Sequence, residues 1–466
     1  MSGPFGSSQW MYSSGDAGFY DFPISNSLRF EDGDSALLSR TPSSASNRDT
    51  WTWSAWVKRG NIGAAKGLFA APEGTSGNTA YLDVIFTADD QLAVSSYATL
   101  YRKTTRLFRD PSAWLHLVVA VDTTDGTSDD RIKIYVNGVQ ETSFVTNNAK
   151  TQNEDTGINS AVVHEIGDGG NHFDGYMAEV NFVDGSQLTP SSFGETKNDI
   201  WIPKDTSGLT FGTNGFRLEF KQSGTGTASA STIGADTSGN GNHWTSTNLV
   251  ASDVVPDSPT NNFATLNGAM RANMTLSEGN LKGVGIGGNY DNIASTITFD
   301  PTDSRGYYWE VFVLAGDNAL TVGIADPQNV DFNQSDPAGA FGDGADGFSY
   351  RGDGTLRNNE TNASYGNTFT TNDIISVAVK SGSIFFYKNG TIQNSGTAAY
   401  TSIAGTKVAA LAINSTKSMS INFGQDSSFA GATTAQGNAD GNGIGDFYYA
   451  PPSGFLALCT ANLPDP

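Results

Sequence analysis

Short runs with a two-residue apolar period recur from Ser27 to Gly424, each closed by turn-forming residues, and long amphipathic helical patterns are absent. Side chains two positions apart share one face of a strand, so such runs can bury that face only by pairing into sheets. RIKIYVNGV (Arg131 to Val139) carries the sharpest signal: Ile132, Ile134 and Val136 fall on one face, which predicts that Arg131 and Lys133 reach solvent. Asn137-Gly138 is the pair whose positive φ values close a type I′ hairpin. In TWTWSAWVKR (Thr50 to Arg59) the alternation puts Trp51, Trp53 and Ala55 on one face and Trp56 on the other. WLHLVVAVD (Trp114 to Asp122) is a dense β-branched run. Further along, YYWEVFVL (Tyr307 to Leu314) places Tyr307, Trp309, Val311 and Val313 together, and SIFFYKNGT (Ser383 to Thr391) ends in a second Asn-Gly pair, with Lys388 expected in water. The expected class is all-β, as two jelly-roll-like β-sandwich domains with an extended N-terminal arm.

At 466 residues the chain exceeds one ordinary core, and five segments are expected. Residues 1–26 form an arm in which Trp10, Tyr12, Phe19, Tyr20 and Phe22 sit among Gly and Ser with neither period. Such a segment cannot bury its own aromatics, so it is expected to dock on a partner protein or a neighbouring subunit. Residues 27–195 form a first sandwich, 196–260 a connector draped over the sandwiches, 261–425 a second sandwich, and 426–466 a tail packed on the second sandwich.

Charge and cysteine content narrow the partners. Twenty-six basic against 48 acidic side chains give −22, which repels phosphate backbones and anionic membranes, so no nucleic acid and no membrane insertion are expected. Nor does any segment approach the ~18 apolar residues of a membrane helix. One cysteine, Cys459, rules out an intrachain disulfide. Met1 to Phe30 lacks a basic start followed by an apolar run, which predicts synthesis in a cytoplasm without a signal peptide.

Four runs in order, SLRFEDGDSALLSR, WTWSAWVKR, WLHLVVAVDTTDGTSDDRIKIYVNGV and FDGYMAEVNFVDGSQLTPSSF, resemble the concanavalin A-like or laminin G-like family over about residues 28–195. That resemblance implies a two-sheet jelly roll. Ala178 in MAEV departs from the polar residue of many relatives, so no ligand site is carried over there. YYWEVFV, VGIAD, DGFSYRGDG and NDIISVAVKSGSIFFYKNGT, with the apolar strand at Val408 to Ile413, resemble SPRY over about residues 261–425. SPRY domains are bent sandwiches used mainly for protein interaction. With the PFGSSQWMYSS arm and the APPSGFLALCTANLPDP tail, the whole chain looks like marine phage structural and tail-fibre-type proteins. The resemblance implies a virion location, other virion proteins as the partners of the N-terminal arm, and a tail fibre or appendage subunit attaching to a host-surface glycan or protein. The alternative is a head fibre, decoration or tail-assembly protein making only protein contacts. A homo-oligomer, by analogy a trimer, follows from the avidity that several weak sites confer.

Catalytic chemistry finds little purchase, and no enzyme activity and no cofactor are expected. Glucanases on such sandwiches carry Glu-x-Asp-x-x-Glu on one strand, with two carboxylates ~5 Å apart. Nothing matches, and the nearest cluster, Glu31-Asp32-Gly33-Asp34, reads as a turn. His116, His164, His172 and His243 lack zinc-like ligand spacing and read as structural. No Gly-x-Ser-x-Gly elbow supports a hydrolase triad. GVGIGGN (Gly283 to Asn289) lacks the helix and Lys-Ser/Thr of a phosphate loop. Asp129 and Asp130 read as a solvated hairpin start. Asp236, Ser238, Asn240 and Asn242 alternate along one loop and offer oxygens to calcium, against the simpler reading that Gly239 and Gly241 make tight turns; no metal is assigned.

Overall fold

The computed structural model describes residues 19–71, 82–96, 99–317, 320–333, 335–336 and 341–464. The chain divides into two units, Asp16–Asn261 and one that starts at Asn262. Among the described residues the only helical segments are three-residue 3₁₀ turns, and no helix is long and apolar enough to cross a membrane.

In the first unit two antiparallel sheets face each other. One runs Val139–Gln140, Ile132–Val136, Trp114–Asp122, Thr50–Arg59, Gly175–Asp184, Ser27–Phe30 and Val254–Val255, with Phe216–Leu218 also paired to Gly175–Asp184. The other runs Phe144–Asn147, Leu100–Leu107, Gln91–Ser95, Leu82–Phe86, Lys66–Ala71, His164–Ile166, Leu37–Arg40 and Thr245–Thr247. The two-residue period decides which side chains lie between them. Trp51, Trp53, Ala55, Ile132, Ile134 and Val136 enter the central core, while Trp56 joins Ile24, Trp114, Tyr176 and Val255 on the outer face. Asn137 (φ +48°) and Gly138 (φ +80°) close the hairpin as the sequence predicts.

Residues 196–260 contribute to both sheets of this sandwich rather than lying over it. Phe216–Leu218, Thr245–Thr247 and Val254–Val255 each pair with a strand from the sandwich proper, and Phe216, Leu218, Trp244 and Leu249 lie in the central core. Strands of two or three residues carry too little alternation to be read locally, because their partners lie far off in sequence. Arg131 also departs from expectation. It is buried, because its guanidinium donates to the carbonyls of Asp125 (2.8 Å) and Lys150 (2.8 Å). Lys133 and Lys388 are half-buried and pair with Asp130 and Asp373.

The second unit repeats the architecture. One sheet runs Leu266–Arg271, Tyr290–Phe299, Lys407–Asn414, Leu320–Ala325, Gly347–Arg351, Thr355–Asn358 and Thr361–Ser364. Its partner runs Met274–Ser277, Lys282–Gly285, Ser418–Asn422, Tyr307–Ala315, Ile374–Lys380, Ser383–Lys388 and Thr391–Ile392. Tyr307, Trp309, Val311 and Val313 point into the core between the sheets. The tail returns to this unit: Leu456–Ala457 pairs in parallel with Tyr307 and Tyr308. The Asn389-Gly390 hairpin has similar positive φ values, +48° and +74°. In both hairpins a Cβ on the glycine would overlap an aromatic ring from a later segment, Trp201 over Gly138 and Tyr449 over Gly390.

Candidate functional site

The long pairing of Thr50–Arg59 with Trp114–Asp122 sets Ser54 beside His116 on the outer face of the first sandwich. Their Oγ and Nε2 atoms are 2.8 Å apart, the contact a serine nucleophile needs with its base. The other ring nitrogen decides the chemistry. Trp201 Nε1 lies 3.0 Å from His116 Nδ1, and an indole N–H can only donate, so Nδ1 is the acceptor and Nε2 carries the proton. Nε2–H therefore donates to Ser54, the reverse of what a general base does. Burial pushes His116 down to about 3, which keeps the ring neutral.

His164 and His243 are likewise held by hydrogen bonds, and His172 lies beside a carboxylate. His164 Nε2 accepts from Asn159 N–H (3.0 Å), its Nδ1 donates to Val162 O (2.9 Å), and burial holds it down at about 4. His243 Nδ1 accepts from Asp236 N–H (3.0 Å), and His172 Nδ1 lies 3.3 Å from Asp168 Oδ2. His164 and His172 thus have separate partners.

Folding assembles one acidic group at the sandwich rim that the sequence conceals. Glu31 and Asp32 follow the Ser27–Phe30 strand and Asp174 precedes its neighbour Gly175–Asp184, so pairing of those strands brings the three together. Each can supply one carboxylate oxygen, and these oxygens lie within 4.8 Å of one another. Hard oxygen donors at such spacing suit calcium in kind. They are also already engaged: Lys66 Nζ pairs with Asp32, and Asn61 donates to Asp174 from its backbone N–H (2.9 Å) and its Nδ2 (3.2 Å). Lys66 supplies the positive charge a cation would bring, and the cluster joins the rim loops to one another. Asp34 has no part in the group.

The Asp236 loop is self-contained in the same way. Asp236 Oδ1 accepts the N–H groups of Arg217 (2.9 Å) and Ser238 (2.8 Å), and Oδ2 accepts Ser238 Oγ (2.9 Å) and Asn242 N–H (2.8 Å). Asn240 and Asn242 turn their amide NH₂ groups onto the carbonyls of Gly212, Thr213 and Gly215. Arg40 reaches Asn242 Oδ1. The alternating oxygens serve as internal acceptors that shape the turn. Elsewhere, Asp129 and Asp130 sit in a 3₁₀ turn before the hairpin, and the N–H groups of Ile286 and Gly287 donate to Asp291, which occupies the donors a phosphate would need.

A second carboxylate group escaped the sequence because its members are far apart in the chain. A bulge in Gly175–Asp184 gives Glu179 a φ of +45° and turns it toward Arg217, which donates from Nε (3.1 Å) and Nη2 (3.0 Å). Glu219 lies 3.1 Å from the same Nη2. The guanidinium is shared between the two carboxylates, a charge-assisted lock rather than an acid and nucleophile facing a cleft.

Of the arm residues, Trp10 and Tyr12 lie outside the described residues. Phe22 packs with the outer cluster of Trp56, Trp114 and Tyr176 and lies 5.5 Å from the Arg217 guanidinium. Phe19 is half-buried and lies 5.8 Å from Lys197 Nζ, and the half-buried Tyr20 packs edge-on against Phe19. Ile24 is buried, and its N–H and C=O both bond to Thr260 Oγ1. From Phe19 onward this segment has partners within its own unit.

Residues 31–192 match the model of the concanavalin A-like lectin/glucanases superfamily, laminin G type, and residues 306–426 match the SPRY domain. The chain therefore carries a concanavalin A-like domain followed by a SPRY domain. No curated protein matches it significantly. Similar solved structures include the SPRY domain of human HERC1, at 18% identity over 34% of this chain and 96% of that one, with a TM-score of 0.27. Stonustoxin is 12% identical over 54% of this chain and 33% of that one, with a TM-score of 0.28.

Proposed function

We propose that this chain, a concanavalin A-like domain followed by a SPRY domain, is a non-enzymatic virion structural protein, a tail fibre or appendage subunit that attaches to a host-surface glycan or protein. The observation that carries the binding role is the engagement of its polar clusters. The Ser54–His116 pair, the Glu31–Asp32–Asp174 rim and the Glu179–Arg217–Glu219 lock are each held by partners inside the first sandwich. What remains for function is the loop surface, whose Asn and Asp side chains can hydrogen-bond sugar hydroxyls or a protein partner. The virion location rests on the resemblance of the arm and tail to phage structural proteins, and several copies would turn weak sites into avid ones.

Locating the protein on purified particles by cryo-electron microscopy tests the virion role, and a glycan array tests receptor binding. Absence from particles would refute the first. A head or tail-assembly position without receptor binding would favour the architectural role. Release of reducing sugar from host polysaccharide, abolished by changing one carboxylate, would overturn the non-enzymatic reading. The arm is tested by truncation. Removing residues 1–18 should abolish incorporation into particles. Removing 1–26 also deletes Ile24, whose burial contributes roughly 1.5–3 kcal/mol, so lost stability would confound the result.

A further inference from the structure

One side of the first sandwich is closed by a single stretch of chain. Val139–Gln140 ends one sheet and Phe144–Asn147 ends the other, so residues 139–147 pass from sheet to sheet with no strand beyond them among the described residues. Pairing holds the stretch on its inner side: Val139 is opposite Val136, Phe144 is opposite Thr104, and Thr105 N–H donates to Ser143 O (3.1 Å). Val139 is 69% exposed, and a bulge between Phe144 and Thr146 leaves Val145 61% exposed. Leu107, which ends the strand paired with Phe144–Asn147, is exposed as well. Three of the six large apolar side chains exposed among the described residues thus gather on this side. Apart from Glu141 the stretch carries no charge and no proline, the devices that keep sheet edges from pairing.

The two ends of this edge differ in charge. Near its start Arg106 pairs with Glu141 at 3.1 Å, and the arginine is the exposed member, so this end presents a guanidinium. At its far end Asn147 Nδ2 lies 3.4 Å from Asp129 Oδ1. Asp129 is exposed while the Arg102 guanidinium facing it is buried, so that end presents a carboxylate. We propose that two copies of this chain pair antiparallel along residues 143–147, with Val145 of each facing Val145 of the other across a two-fold axis. That register sets Ser143 of each copy opposite Asn147 of the other, and the Arg106 end of each beside the Asp129 end of the other. A parallel pairing would set like charges together.

A formal charge of −22 drives copies of the chain apart, so self-association needs a contact at which opposite charges meet. The antiparallel register supplies two such meetings, related by the axis. Main-chain hydrogen bonds between the edges and removal of Val145 from water supply the remaining attraction. The edge is short and buries less than about 1,200 Å², which places the association among weak ones. Two-fold pairing closes on itself, so this contact makes pairs rather than the trimer expected by analogy with fibres. It would supply the several copies that the virion reading calls for. The pairing is nevertheless measured on the isolated chain, and either reading can fail without the other.

Sedimentation of the full chain from about 1 µM to about 500 µM should show the mass rising from one chain toward two. Val145→Lys sets two ammonium groups against each other at the axis and should weaken association about tenfold or more, while the chain stays folded because the position is exposed. Arg106→Glu and Asp129→Arg should each weaken it, and the two changes together should restore it. Mild oxidation of Val145→Cys should link the chains in pairs through residue 145, since facing positions of antiparallel strands lie within disulfide reach and the natural Cys459 is buried. A chain that stays single at every concentration would overturn the proposal, as would association that survives Val145→Lys undiminished. Failure of the double charge exchange to restore pairing would overturn the antiparallel register.

Discussion

Replacing Asp257 with alanine should be among the most damaging single changes to the first sandwich. Asp257 lies in VVPDSPTNN, the stretch that composition marks as connector, yet its side chain is completely buried. Its Oδ2 is 2.8 Å from Lys58 Nζ, itself 1% exposed, and Trp114 Nε1 donates to Oδ1 at 3.2 Å. Removing the carboxylate leaves the Lys58 ammonium in a low-dielectric site without its nearest counter-charge, beside the Tyr176 ring at 5.5 Å. Breaking a buried pair from one side costs about 3–5 kcal/mol. For a domain of this size that lowers the midpoint of thermal unfolding by roughly 6–20 °C. Calorimetry of the full chain should show the loss in one transition, that of the first unit. The double change Lys58→Met with Asp257→Leu removes both charges and should recover most of the loss, since an apolar pair of similar volume is often neutral or stabilising. A loss below about 1 kcal/mol for Asp257→Ala would refute the reasoning, because a true linker tolerates such a change.

His116 should not titrate by NMR between pH 5 and 8. Because its folded value is depressed to about 3, the stability it contributes is present above about 6.5 and lost as pH falls toward 3, on the order of 5 kcal/mol in full. Trp201→Phe removes the indole donor and should raise that value, and an unchanged titration would argue against the tautomer assigned here. Gly138→Ala should cost at least 1 kcal/mol in denaturant unfolding, since it must adopt φ +80° and displace Trp201. Gly126→Ala, whose Cβ meets nothing within 4 Å, should change stability by less than about 0.5 kcal/mol. Millimolar calcium should leave the unfolding midpoint of the first unit unchanged, because Lys66 and Asn61 already engage the rim carboxylates; a clear calcium-dependent rise would show that the ion displaces Lys66.

Alternation in TWTWSAWVKR, RIKIYVNGV and YYWEVFVL was enough to assign strands, turn types and core faces, because a period of two depends on neighbours along the chain and on little else. The same reading could not see that Phe216–Leu218, Thr245–Thr247 and Val254–Val255 complete the first sandwich. A strand of two or three residues acquires its identity from a distant partner. Nor could local pattern place Arg131, whose burial depends on carbonyls in two separate loops. The polar centres show this most clearly. Asp174 meets Glu31, Arg217 meets Glu179 and Glu310 meets Tyr448 and Tyr449 across gaps that no spacing rule spans. Residue type alone determined which groups could act as acids, bases or ligands. Only the packed sheets, by burying those groups and supplying their partners, decided that the Ser54–His116 contact is a hydrogen bond donated by the ring.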